Sequence, residues 1–311
     1  MIWQELHHVT AGPLAMISSA IANHEKAMPD LLQSVDSSMQ IICSDYSGQH
    51  SEAPYEAYAF LVTTEVAIRK WLPDLALFRK TFLADGRRLS FKNLNESVRR
   101  KALKHYLNCI GKLEGNLICV MINSELKDIF PSSVREVFSD CFVERDKKIT
   151  VEKMFKVASF ISLITACLRK EDQPSIWISD HDEALDSFDR REGLARLSSY
   201  LTQGLARWKS PADLHFLTTE MDDLPFWAED VTALADITAG AYCKLGQVLP
   251  SFFRKSSWQV RTSPISISDQ RSQQVLDWLA TSTKNMKPLL VRLEPDGENS
   301  YRASSQSFLV K

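Results

Sequence analysis

The chain has 311 residues, of which 44% are apolar and 24% are charged, the proportions of an ordinary globular protein. These values exclude a largely disordered or fibrous chain, and the length suffices for one large domain or two small ones. A formal net charge of −2 gives no overall sign of a nucleic-acid-binding protein, although a carboxylate-rich centre can offset a local basic groove.

The N-terminus and the cysteines indicate the cellular compartment. Glu5, His7 and His8 lie in the first turns, where a signal peptide would have a cationic start and an apolar middle. No apolar run approaches the length of about 20 residues that a membrane-spanning helix needs. The six cysteines lack CxxC spacing and lie mostly in apolar runs, which is typical of buried thiols in a reducing compartment. We therefore expect a cytoplasmic protein that does not enter a membrane.

The apolar patterns predict a helical extension over residues 1–38 and then a series of strands and helices. The first strand ends at Asp45, and a turn sequence separates it from the second strand. In chain order, the predicted elements are strands at Met39–Ser44 and Tyr58–Thr63, helices at 65–83 and 96–113, a strand at Asn116–Ile122, a helix at Val151–Leu168, a strand at Ser175–Ser179, a helix at 189–208, a strand at 214–219 and a helix at 227–245. Near the C-terminus, Leu289–Leu293 and Tyr301–Leu309 can pair as a hairpin around Asp296 and Gly297.

This order of elements predicts an α/β fold. The first two strands are expected to pair antiparallel, and the later alternation of strands and helices favours parallel strands with helices packed against them. Such a mixed sheet is similar to that of ribonuclease H, and it also fits other mixed α/β folds. We predict three units: the extension at 1–38, a core at 39–245, and a C-terminal helix and strand segment at 246–311 packed on the core.

Three aspartates are candidates for one metal centre. Asp45 and Asp180 each end a strand, and the ends of neighbouring strands form one crevice in such sheets. Two carboxylates there repel each other unless a proton or a cation lies between them, and magnesium prefers oxygen ligands. Asp236 is the only charged residue from Val231 to Cys243, so its helix is expected to be buried. A metal, an arginine or a substrate cleft must then compensate its charge.

Further acids and a basic cluster surround these positions. Glu229 lies on the same helical stripe as Asp236, and Asp182 follows Asp180 closely, so both are candidate additional ligands. Strand-ending aspartates are also common as turn or cap residues. The basic residues are Arg87, Arg88, Lys92, Arg99, Arg100, Lys101 and Lys104. They could contact the phosphates of a nucleic acid, or they could form a solvated helix face.

Several short motifs resemble one known family. The run Asp45 to Gly48 resembles the Asp-Glu-Ser-Gly opening of a bacterial and phage family of ribonuclease H-like domains of unknown function. Further runs, in the same order as in that family, are Leu89–Lys92, Ile176–Asp180 and Ala235–Gly240. The resemblance covers about residues 39–295. It implies a ribonuclease H-like fold and cleavage of phosphodiester bonds in RNA or DNA with Mg or Mn.

The resemblance also implies roles for individual residues. Asp45, Asp180 and Asp236 would be the catalytic metal ligands, with Asp182 or Glu229 as additional ligands. Lys92 would lie near the substrate phosphates, and Arg88 and Ser47 are the other candidate substrate contacts.

Two positions depart from the family pattern, and they leave two main hypotheses. Tyr46 follows Asp45 where a glutamate is usual, and Ser90 stands two places before Lys92 where many relatives have a glutamate. The first hypothesis is a metal-dependent nuclease. The second is a catalytically weak or inactive nucleic-acid-binding or assembly subunit of a bacterial defence or mobile-element system, with a protein partner or as a homo-oligomer. A small-molecule metallohydrolase is a third, weaker alternative. A fourth carboxylate near Asp45 and Asp180 would favour the first.

Overall fold

The architecture consists of eight strands and seven α-helices within the described part of the chain. A computed structural model describes residues 1–7, 12–35, 37, 39–49, 52–126, 129–130, 136–142, 148–180, 187–221, 224–248, 258–261, 267–281, 285–297 and 300–308. The helices are α1 (Pro13–Ala27), α2 (Glu65–Phe82), α3 (Ser97–Ile110), α4 (Lys148–Leu168), α5 (Phe188–Ala206), α6 (Trp227–Val248) and α7 (Gln270–Thr281), with 3-10 turns at Phe91–Asn95 and Ser139–Cys141. The strands are β1 (Gln40–Ser47), β2 (Tyr55–Thr64), β3 (Gly115–Asn123), β4 (Ser175–Ser179), β5 (Leu214–Thr218), β6 (Trp258–Arg261), β7 (Met286–Pro295) and β8 (Tyr301–Phe308).

All eight strands form one mixed sheet in the order β5-β4-β1-β2-β3-β7-β8-β6. Strand β2 is antiparallel to both of its neighbours, β1 and β3. Strands β4 and β5 continue the sheet parallel to β1, while β7 runs parallel to β3. This arrangement confirms the predicted fold class, an α/β mixed sheet with antiparallel first strands and parallel later strands flanked by helices, as in ribonuclease H-like folds.

Each face of the sheet is covered by its own hydrophobic core. Side chains alternate between the faces along a strand, and in β1 Ile41 and Cys43 enter one core while Ile42 and Tyr46 enter the other. The first core also contains residues of α2, α3, α6 and α7, and we call this side the α6 face. The second contains residues of α1, α4 and α5, and we call this side the α4 face.

Helix α6 packs across β1 and β2 and is the central helix of its face. Nearly all its residues are buried, as its apolar sequence predicts. Near its N-terminus, Asp230 is buried and its carboxylate accepts two hydrogen bonds from Arg79 of α2, 2.9 Å from Nε and 2.6 Å from Nη2. Tyr106 of α3 donates its hydroxyl to the backbone oxygen of Asp230 at 2.6 Å. These contacts fix the start of the helix to α2 and α3.

The C-terminal segment contributes strands to the same sheet. The predicted hairpin is confirmed, because β7 and β8 pair antiparallel on either side of Asp296 and Gly297. The sequence did not indicate that β7 would lie beside β3, where Ile118 pairs with Leu289. The predicted division into units at 1–38, 39–245 and 246–311 stays a prediction.

All six cysteines are free, and five of them are buried, while Cys141 is partly exposed. Among the described residues, no helix combines the length and apolar character needed to cross a bilayer.

Candidate active site

The register of two parallel strands brings Asp45 and Asp180 together. Ser44 of β1 pairs with Ser179 of β4, and the Asp180 backbone nitrogen donates to the Ser44 oxygen at 3.1 Å. The aspartates that follow these two serines therefore lie side by side. Because Cys43 is in the core of the α6 face and side chains alternate, the Asp45 side chain also projects on that face.

Helix α6 supplies the third aspartate. Asp236 lies near Asp45, and its charge raises the pKa of the Asp45 carboxyl. Asp236 Oδ2 accepts a hydrogen bond from the Phe91 backbone nitrogen at 2.7 Å, which holds the carboxyl in place. Asp45 is held in the same way, since its Oδ1 accepts from the Tyr46 backbone nitrogen at 2.7 Å. The structure thus brings the three predicted aspartates into one cluster.

The negative charges of the three aspartates are only partly compensated by the surrounding cation and hydrogen-bond donors. Burial, followed by the charges of Asp236 and Asp180, raises the pKa of Asp45 well above its usual range. Burial and the charge of Asp180 raise the pKa of Asp236 to about 6, although the Phe91 hydrogen bond and Arg88 oppose the shift. Two adjacent carboxylates behave in this way when neither a cation nor enough donors lie between them.

Arg88 is the cation of this cluster. Its guanidinium forms an ion pair with Asp180. Burial alone would lower its pKa, but the hydrogen bond and charge of Asp180, followed by the charges of Glu229 and Asp236, raise it. Arg88 was predicted as a substrate contact, and in this structure its partner is Asp180.

Thr219 is a residue of the cluster that the sequence did not reveal. Its hydroxyl lies 2.5 Å from Asp180 Oδ1, to which it donates a hydrogen bond. Thr218 of β5 pairs with Ser179 of β4, so the residue after β5 reaches the residue after β4. The rule that neighbouring strand ends share one crevice could have identified Thr219, had the pairing of these strands been known.

The remaining predicted residues lie at different distances from the cluster. Lys92 is exposed and directly follows Phe91. Ser47 lies two residues beyond Asp45 and near Cys243 of α6, whose thiol pKa it lowers against the effect of burial. Glu229 is two helical turns before Asp236 and acts on Arg88 electrostatically. Asp182 lies outside the described residues.

The departure at position 46 has a structural explanation. The Tyr46 hydroxyl lies 2.8 Å from Ser44 Oγ and 3.2 Å from Ser179 Oγ, and Tyr46 belongs to the core of the α4 face. An acid at this position would project away from Asp45. Tyr46 therefore removes no carboxylate from the α6 face, and the departure that bears on the cluster is Ser90.

The donor set fits a hard divalent cation, but only in part. In the described segments, no group of three or more acidic, histidine or cysteine side chains is arranged closely enough to hold a metal ion. Asp180 is turned towards Arg88 and Thr219, which leaves Asp45 and Asp236 as the remaining pair. Magnesium is commonly held by one or two carboxylates together with waters and substrate phosphates. Two carboxylates of this kind fit such an ion, while Asp180 is occupied by Arg88 and Thr219.

The basic cluster is partly paired with acids. Arg87 forms ion pairs with Asp85 and Glu96, and Arg99 pairs with Glu96 while donating to the Arg88 backbone oxygen at 2.6 Å. These contacts agree with the interpretation as a solvated face. The exposed members are Arg87, Lys92, Arg100, Lys101 and Lys104.

Comparisons with known proteins give little beyond the fold. No family model matches the chain, and no curated protein matches it significantly. Among solved structures, the chain is similar to the ribonuclease H2 from Pyrococcus horikoshii OT3, with 13% identity and a TM-score of 0.36 over 78% of this chain and 86% of that one. A similarity at this level says nothing about catalytic residues, metal or substrate, which rest on the residues of this chain.

Proposed function

We propose that the chain is a divalent-metal-dependent nuclease that hydrolyses phosphodiester bonds in RNA or DNA, with Mg or Mn as the cofactor. The observation that carries the proposal is the pair of buried carboxyls of Asp45 and Asp236, whose mutual repulsion a bound cation would relieve. Carboxylate oxygens, together with water, are ligands that suit Mg and Mn.

The residues of the chain have distinct roles in this proposal. Asp45 and Asp236 would hold the cation, oriented by the backbone nitrogens of Tyr46 and Phe91. A bound divalent cation lowers the pKa of a water ligand and neutralises charge on the phosphoryl oxygens. Arg88 would transfer its guanidinium from Asp180 to a substrate phosphate, because the planar fork of arginine suits both partners. Asp180 would then be available as a third ligand. Lys92 and Ser47 are the other proposed substrate contacts.

The test is cleavage of end-labelled single-stranded, duplex and hybrid nucleic acids with Mg²⁺, with Mn²⁺ and with a chelator. Asp45→Asn is compared with Asp213→Asn. Asp213 is a matched control because its side chain is 65% exposed and it directly precedes β5, at the other end of that strand from Thr219. We expect metal-dependent cleavage that falls by about a hundredfold or more in Asp45→Asn and is unchanged in Asp213→Asn. Cleavage that survives both chelator and Asp45→Asn contradicts the proposal.

One observation favours a second candidate, a catalytically weak or inactive nucleic-acid-binding subunit. Arg88 already neutralises Asp180, and Ser90 supplies no acid beside Phe91, so the cluster has fewer carboxylates than a four-carboxylate site. For this candidate, the wild-type chain would bind the same nucleic acids without cutting them in any of the metals, and Asp45→Asn would leave binding intact.

A further inference from the structure

A cleft opens directly beside the aspartate cluster on the α6 face. It has a volume of about 780 Å³, within the range of ligand-binding pockets. It lies between the end of α2 and the segment from β5 to α6. Thr219 and Glu229 line it, and they also contact Asp180 and act on Arg88, respectively. The cleft and the cluster thus share residues, so a ligand in one reaches the other.

The walls of the cleft combine apolar, cationic and acidic groups, and the acidic ones are Glu220 and Glu229. Leu83, Leu224 and Pro225 form apolar surface, and Lys80 adds an exposed cation. At the rim, Phe226 is 63% exposed and Met221 is 44% exposed. A phenylalanine with most of its surface in water, beside a polar cluster, offers a flat apolar face to a ligand.

We propose that this cleft binds an unstacked nucleobase adjacent to the phosphate at the aspartates, with Phe226 stacking on the base. This inference rests on the proposed function and deepens it, because it names the substrate class. Bases in a duplex are stacked on each other and cannot present a face to a side chain. Proteins that stack aromatic side chains on bases therefore act on single strands, loops or extruded nucleotides. The substrate is thus single-stranded at this nucleotide.

Lys80 contributes to the same interaction. It lies on the last turns of α2 and on the wall of the cleft. A base bound against Phe226 would bring its flanking phosphates to the cleft walls, where a lysine can contact them. The cleft therefore supplies a stacking face and a phosphate contact for one nucleotide.

The test measures the affinity of the full chain for a fluorescently labelled single strand and for a duplex of the same sequence, in chelator so that metal-dependent cleavage is absent. Phe226→Ala is expected to weaken binding of the single strand by about tenfold and to leave duplex binding within about twofold. Phe226→Trp is expected to retain the affinity, because stacking needs only an aromatic face. The matched control is Tyr200→Ala, since Tyr200 of α5 is 52% exposed and α5 belongs to the α4 face. It should change neither affinity.

The outcomes separate this inference from the proposed function. If the wild type cleaves nucleic acid but Phe226→Ala binds the single strand as the wild type does, the base-binding cleft is wrong and the nuclease stands. If Phe226→Ala loses the single strand but the wild type never cleaves, the cleft stands and the catalytic proposal fails. If Phe226→Ala loses affinity for the single strand and for the duplex to the same extent, the base-binding cleft is wrong. The cleft is also wrong if Phe226→Ala keeps both affinities, which is the result expected if a protein partner occupies it. Absence of any binding by the wild type in chelator overturns the cleft, and the nuclease is then decided by the cleavage assay with metal.

A salt titration checks the phosphate contact. The logarithm of the single-strand affinity is expected to fall less steeply with the logarithm of salt concentration in Lys80→Gln, by about 0.7. An unchanged slope overturns the contact of Lys80.

Discussion

At the scale of single residues, the cluster combines a destabilising and a stabilising feature. Asp45 and Asp236 lie near each other with raised pKa values, so their negative charges oppose folding at neutral pH when no cation is bound. Arg88 offsets part of this repulsion through Asp180. Residues placed for ligand binding commonly reduce the stability of the free protein.

Asp236→Asn is expected to stabilise the metal-free chain at neutral pH. With a folded pKa of about 6 against 3.8 unfolded, the native state binds more protons between these values, so the contribution of Asp236 to stability falls as pH rises through that window. Above pH about 6.5, the free energy of unfolding of the variant should exceed that of the wild type by on the order of 1 to 3 kcal/mol. Near pH 3.5 the two free energies should be equal. The asparagine oxygen of the variant can still accept from the Phe91 nitrogen.

Thermal melting in chelator at several pH values measures this effect. Asp213→Asn is the control, because the Asp213 side chain is exposed. A midpoint of Asp236→Asn that is lowered at pH 8, or raised equally at acidic pH, would show that the Asp236 charge does not oppose folding.

Arg88→Gln is expected to bind Mn²⁺ more tightly. The Arg88 guanidinium pairs with Asp180 and repels a metal ion bound nearby. Coulomb repulsion over several ångströms near a protein surface corresponds to about a tenfold change in metal affinity. Arg87→Gln is the matched control, because Arg87 pairs with Asp85 and Glu96 instead. Calorimetric titration measures the Mn²⁺ affinity of both variants. Equal or weaker Mn²⁺ binding by Arg88→Gln would mean that Arg88 does not compete with the metal.

The sequence indicated the three aspartates but not their partners. Asp45 and Asp180 follow recognisable strands, and Asp236 is a lone charge in an apolar helix, so each is visible locally. The pair of Arg88 with Asp180 joins residues 92 positions apart, and Thr219 approaches Asp180 through strand pairing. Such contacts depend on the tertiary arrangement, for which a single sequence has no local pattern.

At the scale of elements, the contact between α6 and the 3-10 turn at Phe91–Asn95 positions the cluster. Gly240 lies one turn after Asp236, and a Cβ atom added there would meet the Phe91 ring at 2.3 Å from Cγ. The ring is also covered by the Arg271 guanidinium, 5.3 Å from its centroid. Because the Phe91 nitrogen binds Asp236, the close approach at Gly240 sets the orientation of the carboxyl.

Gly240→Ala is therefore expected to displace the turn. The added methyl group cannot be accommodated without movement of Phe91, and such overpacking destabilises by about 1 to 3 kcal/mol. Gly204→Ala is the matched control: Gly204 is also in a helix, but a Cβ atom there would meet nothing within 4 Å. That variant should be neutral or more stable by up to about 1 kcal/mol.

Denaturant unfolding gives both free energies of unfolding, and the cleavage assay shows whether Gly240→Ala also loses activity. If the two glycine variants have the same free energy of unfolding, the 3-10 turn at Phe91–Asn95 moves without cost and does not fix the position of Asp236.

The sequence predicted most elements because their patterns are local. Residues 175–179 and 227–245 were predicted as a short buried strand and a buried helix, and the structure has β4 and α6 there. Strand β2 begins at Tyr55, three residues before its predicted start, because Glu56 and neighbouring small residues weaken the apolar pattern. The pairing of β3 with β7 was not predicted, since about 170 residues separate the two strands.

At the scale of the whole molecule, the C-terminal strands belong to the central sheet. Strand β7 is inserted between β3 and β8, and its buried side chains enter both cores, with Leu290 on the α6 face and Leu289, Val291 and Leu293 on the α4 face. Removing this strand would expose the edge of β3 and apolar surface on both sides.

A chain ending at residue 285 is accordingly expected to lose cooperative unfolding. The wild type should melt in one transition by circular dichroism, and the shortened chain should show none or should aggregate. A shortened chain that melts cooperatively near the wild-type midpoint would instead show that β7 and β8 are not needed to fold the predicted core at 39–245.

The reaction rate of the buried cysteines with a thiol reagent measures how often the two cores open. Burial raises the pKa of Cys119 and Cys167 beyond their ordinary range and that of Cys43 to about 12, so these groups remain protonated and unreactive while the cores are closed. Cys141, which is partly exposed, should react first with an aromatic disulfide reagent. The slower labelling of the buried cysteines would then follow the rate at which the sheet and its helices separate. A cation or an oligonucleotide that slows this labelling would thereby be shown to bind, without any assay of cleavage.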